Sequence, residues 1–246
     1  MSGDQLRLPL PEAPIERRLP ERLRPMQATP VDEPFDDPDY FFEPWWPGVR
    51  ATAFIESGVL RMQIAGLSDP LATFPELADL PRQVIGDALV LDGTLLVLDG
   101  EGRPDPDLLR ARLATAGPTR SRPAGAARGK ADPAAPGRPA FVASDLLWDG
   151  GVAWTRRPFR MRRDRLAAVL PEGDRVIVGR GYPDEGTLVA EALANLGIDG
   201  LSARRLSAAY RAGPGGDAWL RAPIVPPEPR PRPTLALILR LPLELG

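Results

Sequence analysis

Apolar and polar positions alternate through residues 49–64, broken only at Ser57-Gly58, and that period of two predicts a β-hairpin. Residues 74–80 predict a short helix. Two apolar runs, Ala88 to Leu91 and Thr94 to Leu98, flank Asp92-Gly93 and read as two strands with a bend at Gly93. Residues 106–113 predict a helix and 140–148 a strand. Residues 160–170 predict a helix with Arg on one face and Leu or Val on the other. A strand at 175–178 precedes a helix over 184–196, which closes at Gly197. Strands at 200–203 and 219–221 complete the pattern. It predicts an α+β fold of antiparallel strands with helices packed outside them.

Three segments lack this periodicity. Residues 1–21 carry Pro9, Pro11, Pro14 and Pro20 among charges and read as a flexible arm. Residues 116–139 are Gly, Ala, Pro and Arg and read as a disordered insertion in a surface loop. Its Arg120, Arg122, Arg128, Lys130 and Arg138 either touch phosphate or are simply solvated. Residues 225–246 form a tail, polyproline-like over 226–233, with a short apolar end. One domain over 22–224 remains between the arm and the tail.

Composition narrows the chemistry. The 246 residues are 43% apolar, enough to bury one sizeable core. Net charge is −2, so no whole-molecule basic field attracts nucleic acid, although local Arg clusters remain. There is no cysteine and no histidine, which excludes disulfides, thiolate or imidazole metal sites, thiol catalysis and Ser-His triads. Any metal would be a hard, oxygen-bound ion such as magnesium. Lys130 is the single lysine; every other basic residue is Arg. No signal peptide or membrane-length apolar run is visible, so a cytoplasmic location without a membrane partner is expected.

A series of short strings in order carries a family signal. These are Leu23-Arg24-Pro25-Met26-Gln27-Ala28-Thr29-Pro30, Glu43-Pro44-Trp45-Trp46-Pro47-Gly48-Val49-Arg50 and Thr73-Phe74-Pro75-Glu76-Leu77. Further on stand Leu91-Asp92-Gly93-Thr94, Ser144-Asp145-Leu146-Leu147, Asp199-Gly200-Leu201-Ser202-Ala203-Arg204 and Trp219-Leu220-Arg221. Over about residues 22–224 the chain resembles the adenylation (nucleotidyltransferase) domain of ATP-dependent DNA ligases, particularly the bacterial end-joining type. The resemblance implies two antiparallel sheets with outer helices and a central nucleotide cleft. It also implies ATP and Mg2+ as cofactors, and DNA or a DNA-repair protein as partner. Family members add an OB-fold domain after the last motif. Only 22 residues follow Ile224 here, so that domain is expected to be missing.

The resemblance also implies which positions handle the nucleotide: Glu43, Trp45, Arg50, Thr94, Ser144, Asp199, Arg204 and Arg221. Most depart from the family pattern. Trp45 stands where a lysine amine attacks the α-phosphate of ATP, and an indole nitrogen has no lone pair to attack with. Thr94 replaces a glutamate, Ser144 an adenine-stacking aromatic, and Pro47 an aspartate. Ile64 replaces an arginine, Asp199 is one methylene short, and Arg204 and Arg221 replace phosphate-binding lysines. No catalytic residue is therefore assigned, and a degenerate, inactive member of the lineage is expected. An active ligase and a non-catalytic partner-binding module are the alternatives.

Two features stay open on the sequence. Trp45-Trp46 is either an aromatic platform for a base, where stacking contributes about 1–3 kcal/mol, or Trp45 fills an emptied pocket. Arg160, Arg162, Arg163 and Arg165 either engage phosphates or are a solvated helix face.

Overall fold

The computed structural model describes residues 19–115, 137–171, 173 and 175–240. Thirteen strands are described: β1 (Met26–Gln27), β2 (Thr29–Pro30), β3 (Asp37–Pro44), β4 (Val49–Glu56), β5 (Val59–Ile64), β6 (Leu89–Leu98), β7 (Arg138–Asp149), β8 (Val152–Ala153), β9 (Val176–Val178), β10 (Tyr182–Asp184), β11 (Gly200–Arg205), β12 (Gly213–Pro214) and β13 (Trp219–Pro223). The helices are α1 (Pro70–Thr73), α2 (Pro106–Thr115), α3 (Phe159–Val169), α4 (Gly186–Asn195) and α5 (Leu235–Leu239).

Two large sheets result, one ordered β10-β3-β11-β13-β2 and the other β5-β4-β6-β7-β8, with β9 also on β7. The long pairings are antiparallel; the short pairs β13–β2, β7–β9 and β1–β12 are parallel. The expected hairpin is β4–β5, with Ser57 and Gly58 both at positive φ, as a tight two-residue turn requires. β6 and β7 are buried on both faces and read accordingly as near-continuous apolar runs. On one side Leu91, Leu95, Phe141 and Leu146 pack against Leu166 and Val169 of α3 and against Phe74 and Leu77. On the other, Leu96, Leu98 and Val142 meet Phe42 of β3, Leu201 of β11 and Leu193 of α4. A third cluster holds Leu19, Met26, Phe54, Val90, Leu147, Tyr210 and Trp219.

Several expectations need correction. The segment around Asp92-Gly93 is one strand rather than two, and its bend is a register shift against β7. Asp92 pairs with Asp145 but Gly93 pairs with Ala143, so Ser144 is the extra residue of a bulge. The short helix over 74–80 is two 3-10 turns, Pro75–Leu77 and Leu80–Arg82, because a proline near the start of each ends the preceding hydrogen-bond ladder. The helix over 184–196 starts only at Gly186, since Tyr182 to Asp184 pair with β3. Leu19, placed in the arm by sequence, is already buried, and Arg61 donates to the Pro20 and Glu21 carbonyls. Residues 1–18 and 116–136, including Lys130, lie outside the described residues, while Arg138 and Pro139 open β7.

Gly93 marks the tightest approach between the central strands. A Cβ there would lie 2.2 Å from the Val142 carbonyl oxygen and 2.9 Å from Ala143 Cα, both backbone atoms that cannot swing aside. Gly93→Ala is expected to lower stability by about 1–3 kcal/mol, read as an earlier urea-unfolding midpoint at unchanged slope.

Candidate functional site

The positions picked out by sequence gather where the end of β3, the start of β4, the β6–β7 bulge, β11 and β13 converge. Glu43 is the penultimate residue of β3, pairs in register with Ser202 of β11, and is buried. Its Oε1 accepts from Arg204 Nε at 3.0 Å and from Ser202 Oγ at 3.3 Å, and its Oε2 has no partner. Arg204 is also buried and donates from Nη2 to Ser144 Oγ at 3.2 Å, while its Nη1 stands 3.6 Å from Asp145 Oδ2. The bulge explains the last two contacts. One extra residue in β7 aims both Ser144 and Asp145 inward.

A second charge group lies beside it. Asp92 of β6 is fully buried and takes two parallel bonds from Arg50 of β4, with Nε to Oδ1 at 2.5 Å, and a third from the Tyr210 hydroxyl at 2.8 Å. Burial works against the Arg50 charge, but the Asp92 carboxylate outweighs it and pushes the Arg50 pKa above its ordinary value. Burial, reinforced by Asp92, likewise raises the Tyr210 phenol, which stays a protonated donor. Asp145 is held by Arg162 of α3 through Nε at 2.8 Å and Nη2 at 2.9 Å.

Aromatic rings bind these groups together. The guanidinium carbons of Arg50 and Arg204 lie 4.4 and 4.2 Å from the Trp219 ring centroid. Trp219 in turn lies 5.7 Å from Trp45, at an interplanar angle of 32°. The Arg221 guanidinium stands 4.4 Å from the Trp45 centroid. Trp45 is held at this end of the ladder by its backbone N–H, which donates to Gly200 O at 2.9 Å.

The structure thus brings together Glu43, Ser144 and Arg204, joins them through Trp219 to Arg50, and continues to Trp45 and Arg221. Asp199 is not part of this cluster. It precedes β11, is half-exposed, and pairs with Arg230 of the tail at 3.0 Å. Thr94 pairs in register with Arg50 and Val142 in the middle of the second sheet. Ile64 is a core residue. Of the α3 arginines, Arg162 is an internal tie, Arg165 bonds Asp149 at 2.7 Å, Arg163 lies 5.2 Å over the Phe41 ring, and Arg160 is exposed. Neither role was expected from sequence: Tyr210 was not placed at the site, and Arg162 was read only as one of four arginines that either engage phosphates or are solvated. The signal that could have found them is that two buried aspartates must each be matched by a donor.

The carboxylates of the described residues do not group into a magnesium site. Glu43 is engaged by Arg204, Asp92 by Arg50 and Tyr210, and Asp199 by Arg230. Among the described residues no three acidic side chains are grouped as a metal site. Two surface hollows, of about 690 and 580 Å3, lie elsewhere, and none of the eight expected residues lines either.

This architecture, two curled sheets joined where the motif-bearing strands converge, is that of a nucleotidyltransferase domain. No known family's sequence model matches the chain. In structure it is similar to a mycobacterial DNA ligase D complexed with ATP (TM-score 0.63, 24% identity, covering 82% of this chain and 60% of that one) and to the ligase domain of M. tuberculosis LigD (TM-score 0.61, 24% identity, 81% and 58%). In sequence it is 32% identical over 182 residues to a probable DNA ligase of Streptomyces avermitilis, covering 71% of this chain and 33% of that protein. It is 31% identical over 198 residues to DNA ligase C1 of Mycolicibacterium smegmatis, covering 78% and 54%. The chain belongs to the adenylation-domain family of ATP-dependent DNA ligases, and the bacterial end-joining type fits it. It spans between a third and about half the length of these two sequence relatives. No helix among the described residues is long and apolar enough to cross a membrane.

Burial decides which ion pairs matter. Asp145→Asn leaves Arg162 uncompensated at 1% exposure and is expected to cost about 3–5 kcal/mol. Asp199→Asn acts on a pair half open to water and is expected to cost about 0–1 kcal/mol. Parallel denaturant titrations of the two variants check both.

Proposed function

We propose that this chain is a catalytically degenerate ligase-lineage domain that forms no lysyl-adenylate and acts by binding DNA or a DNA-repair partner. The observation that carries the reading is Trp45. It occupies the position where the family resemblance places the nucleophile, with its indole set between Trp219 and Arg221. Adenylyl transfer needs a nitrogen that can be deprotonated, and the indole N–H only donates. The neighbouring cations are guanidiniums, which stay protonated; for Arg50 the Asp92 carboxylate reinforces this.

The filled interior supports the same reading. Glu43 and Ser144 are bonded to Arg204, and Asp92 to Arg50 and Tyr210, so a nucleotide would have to break buried ion pairs to enter. The DNA-repair assignment draws on the relatives. One of them, 25% identical over 203 residues, is the multifunctional non-homologous end joining protein LigD of Mycolicibacterium smegmatis. A cytoplasmic location goes with this assignment.

Incubation with ATP and magnesium, followed by intact-mass measurement, is expected to leave the protein unmodified, with no sealing of a nicked duplex. Trp45→Lys alone is expected to remain unmodified too, because the Glu43–Arg204 and Asp92–Arg50 pairs still occupy the interior. An AMP adduct on the wild-type chain would overturn the proposal.

A further inference from the structure

The three tryptophans around the cluster differ in one respect. Trp46 and Trp219 are 6% and 5% exposed, whereas Trp45 is only half-buried. A residue recruited merely to fill a pocket would be covered as the other two are. Trp45 instead ends the ladder at the surface, and the group lying over it is itself exposed: Arg221, on β13.

Arg221 pairs with no carboxylate among the described residues, and its register neighbours on the adjacent strands are Ser202 and Pro30. Asp199, the acidic residue beside Gly200, is taken by Arg230. The cation on the indole is therefore not neutralised locally, and moving it breaks no ion pair. An indole at the surface whose outer cover is a guanidinium with no carboxylate partner suits a ligand that is flat and apolar on one part and anionic on another. A nucleobase carrying a phosphate has that combination. A base can present its face to an indole only when it is unpaired, which excludes the interior of a duplex.

We infer that Trp45 and Arg221 form a stacking site for an unpaired, phosphate-bearing nucleobase, supplied by a single-stranded stretch or end of DNA. The base lies on the Trp45 indole and Arg221 turns to the phosphate. This rests on the DNA-binding reading above and assigns it a place on the surface.

The probe is a labelled, 5′-phosphorylated oligothymidylate of about twelve nucleotides, within the usual site sizes for single strands. It is titrated by fluorescence anisotropy against the full chain at low salt. Wild type is expected to prefer it to a blunt duplex of the same length. Trp45→Ala is expected to weaken binding about 5- to 150-fold, the loss that accompanies removal of one stacking ring, and Trp45→Phe to retain most of the affinity. Arg221→Ala, at an exposed position with little risk to the fold, is expected to lower affinity and to flatten the slope of log affinity against log salt by about 0.7. Competition by thymidine monophosphate at matching nucleotide concentration would support the same chemistry with a free nucleotide as its source. No binding by wild type, equal binding by Trp45→Ala and wild type, or a preference for duplex that ignores both variants would overturn the inference. Such a failure without an AMP adduct leaves the non-adenylating reading standing, whereas an adduct alongside Trp45-dependent binding does the reverse.

Discussion

Asp92 and Asp145 face each other in register on adjacent strands, both fully buried, and every feature of the site follows from that juxtaposition. Two carboxylates side by side in the interior repel each other, and burial adds to the cost unless partners compensate them. The fold answers with guanidiniums from three separate elements. Arg50 comes from β4, Arg162 from α3 and Arg204 from β11, with the Tyr210 hydroxyl as a further donor. Because Arg204 belongs to the other sheet and also bonds Glu43, charge compensation fastens one sheet to the other.

The same demand explains why arginine at position 204 is not a neutral exchange for lysine, and Arg50 beside it works in the same way. A lysine ammonium is a point charge on a flexible stem. A guanidinium is a planar fork that bonds two oxygens at once and lies flat on an aromatic ring. Arg50 bonds both Asp92 oxygens, and both Arg50 and Arg204 lie within 4.4 Å of the Trp219 centroid. Each arginine is thus committed twice, to a carboxylate and to a ring. Charges fixed in this way hold the domain closed and are poorly disposed to turn toward a triphosphate. On the proposed reading, loss of the nucleophile and loss of nucleotide access are physically linked, since arginines at positions the resemblance assigns to the nucleotide are tied to buried carboxylates.

The hairpin of β4 and β5, strand β7, helix α3 and strands β11 and β13 were legible because each shows its period over enough residues, or is too apolar to lie anywhere but the core. Strand β3 was not. Asp37 to Pro44 contains two prolines and three acids and has no alternation; it is a strand because Tyr40 and Phe42 are pinned between β10 and β11. The β6–β7 bulge escaped for a related reason. A bulge is a property of pairing, and Asp92-Gly93 on one strand says nothing of the Ser144 left over on the other. At the site, the identities of the unusual residues were readable, but their partners were not. Arg162 looked like one cation among several on a helix, and Asp199 gave no hint that a tail arginine would claim it.

That tail changes what the end of the domain does. Arg230 bonds Asp199 and the Gly197 carbonyl, Arg232 reaches Asp105, and the Leu235 N–H donates to Gly102 O. Thr234 caps α5, whose Leu235 and Ile238 are buried in the cluster that joins the two sheets. The polar contacts are exposed and individually weak, so the anchoring comes from the two buried aliphatic side chains, at about 1.5–3 kcal/mol each for full burial. The polyproline stretch before them limits the unfolded conformations the tail must give up, which lowers the cost of laying it down. Residues 225–240 are thus part of the packed domain. They also hold Asp199 in its pair with Arg230, so the carboxylate that the family resemblance assigns to the nucleotide serves here to fasten the chain to itself.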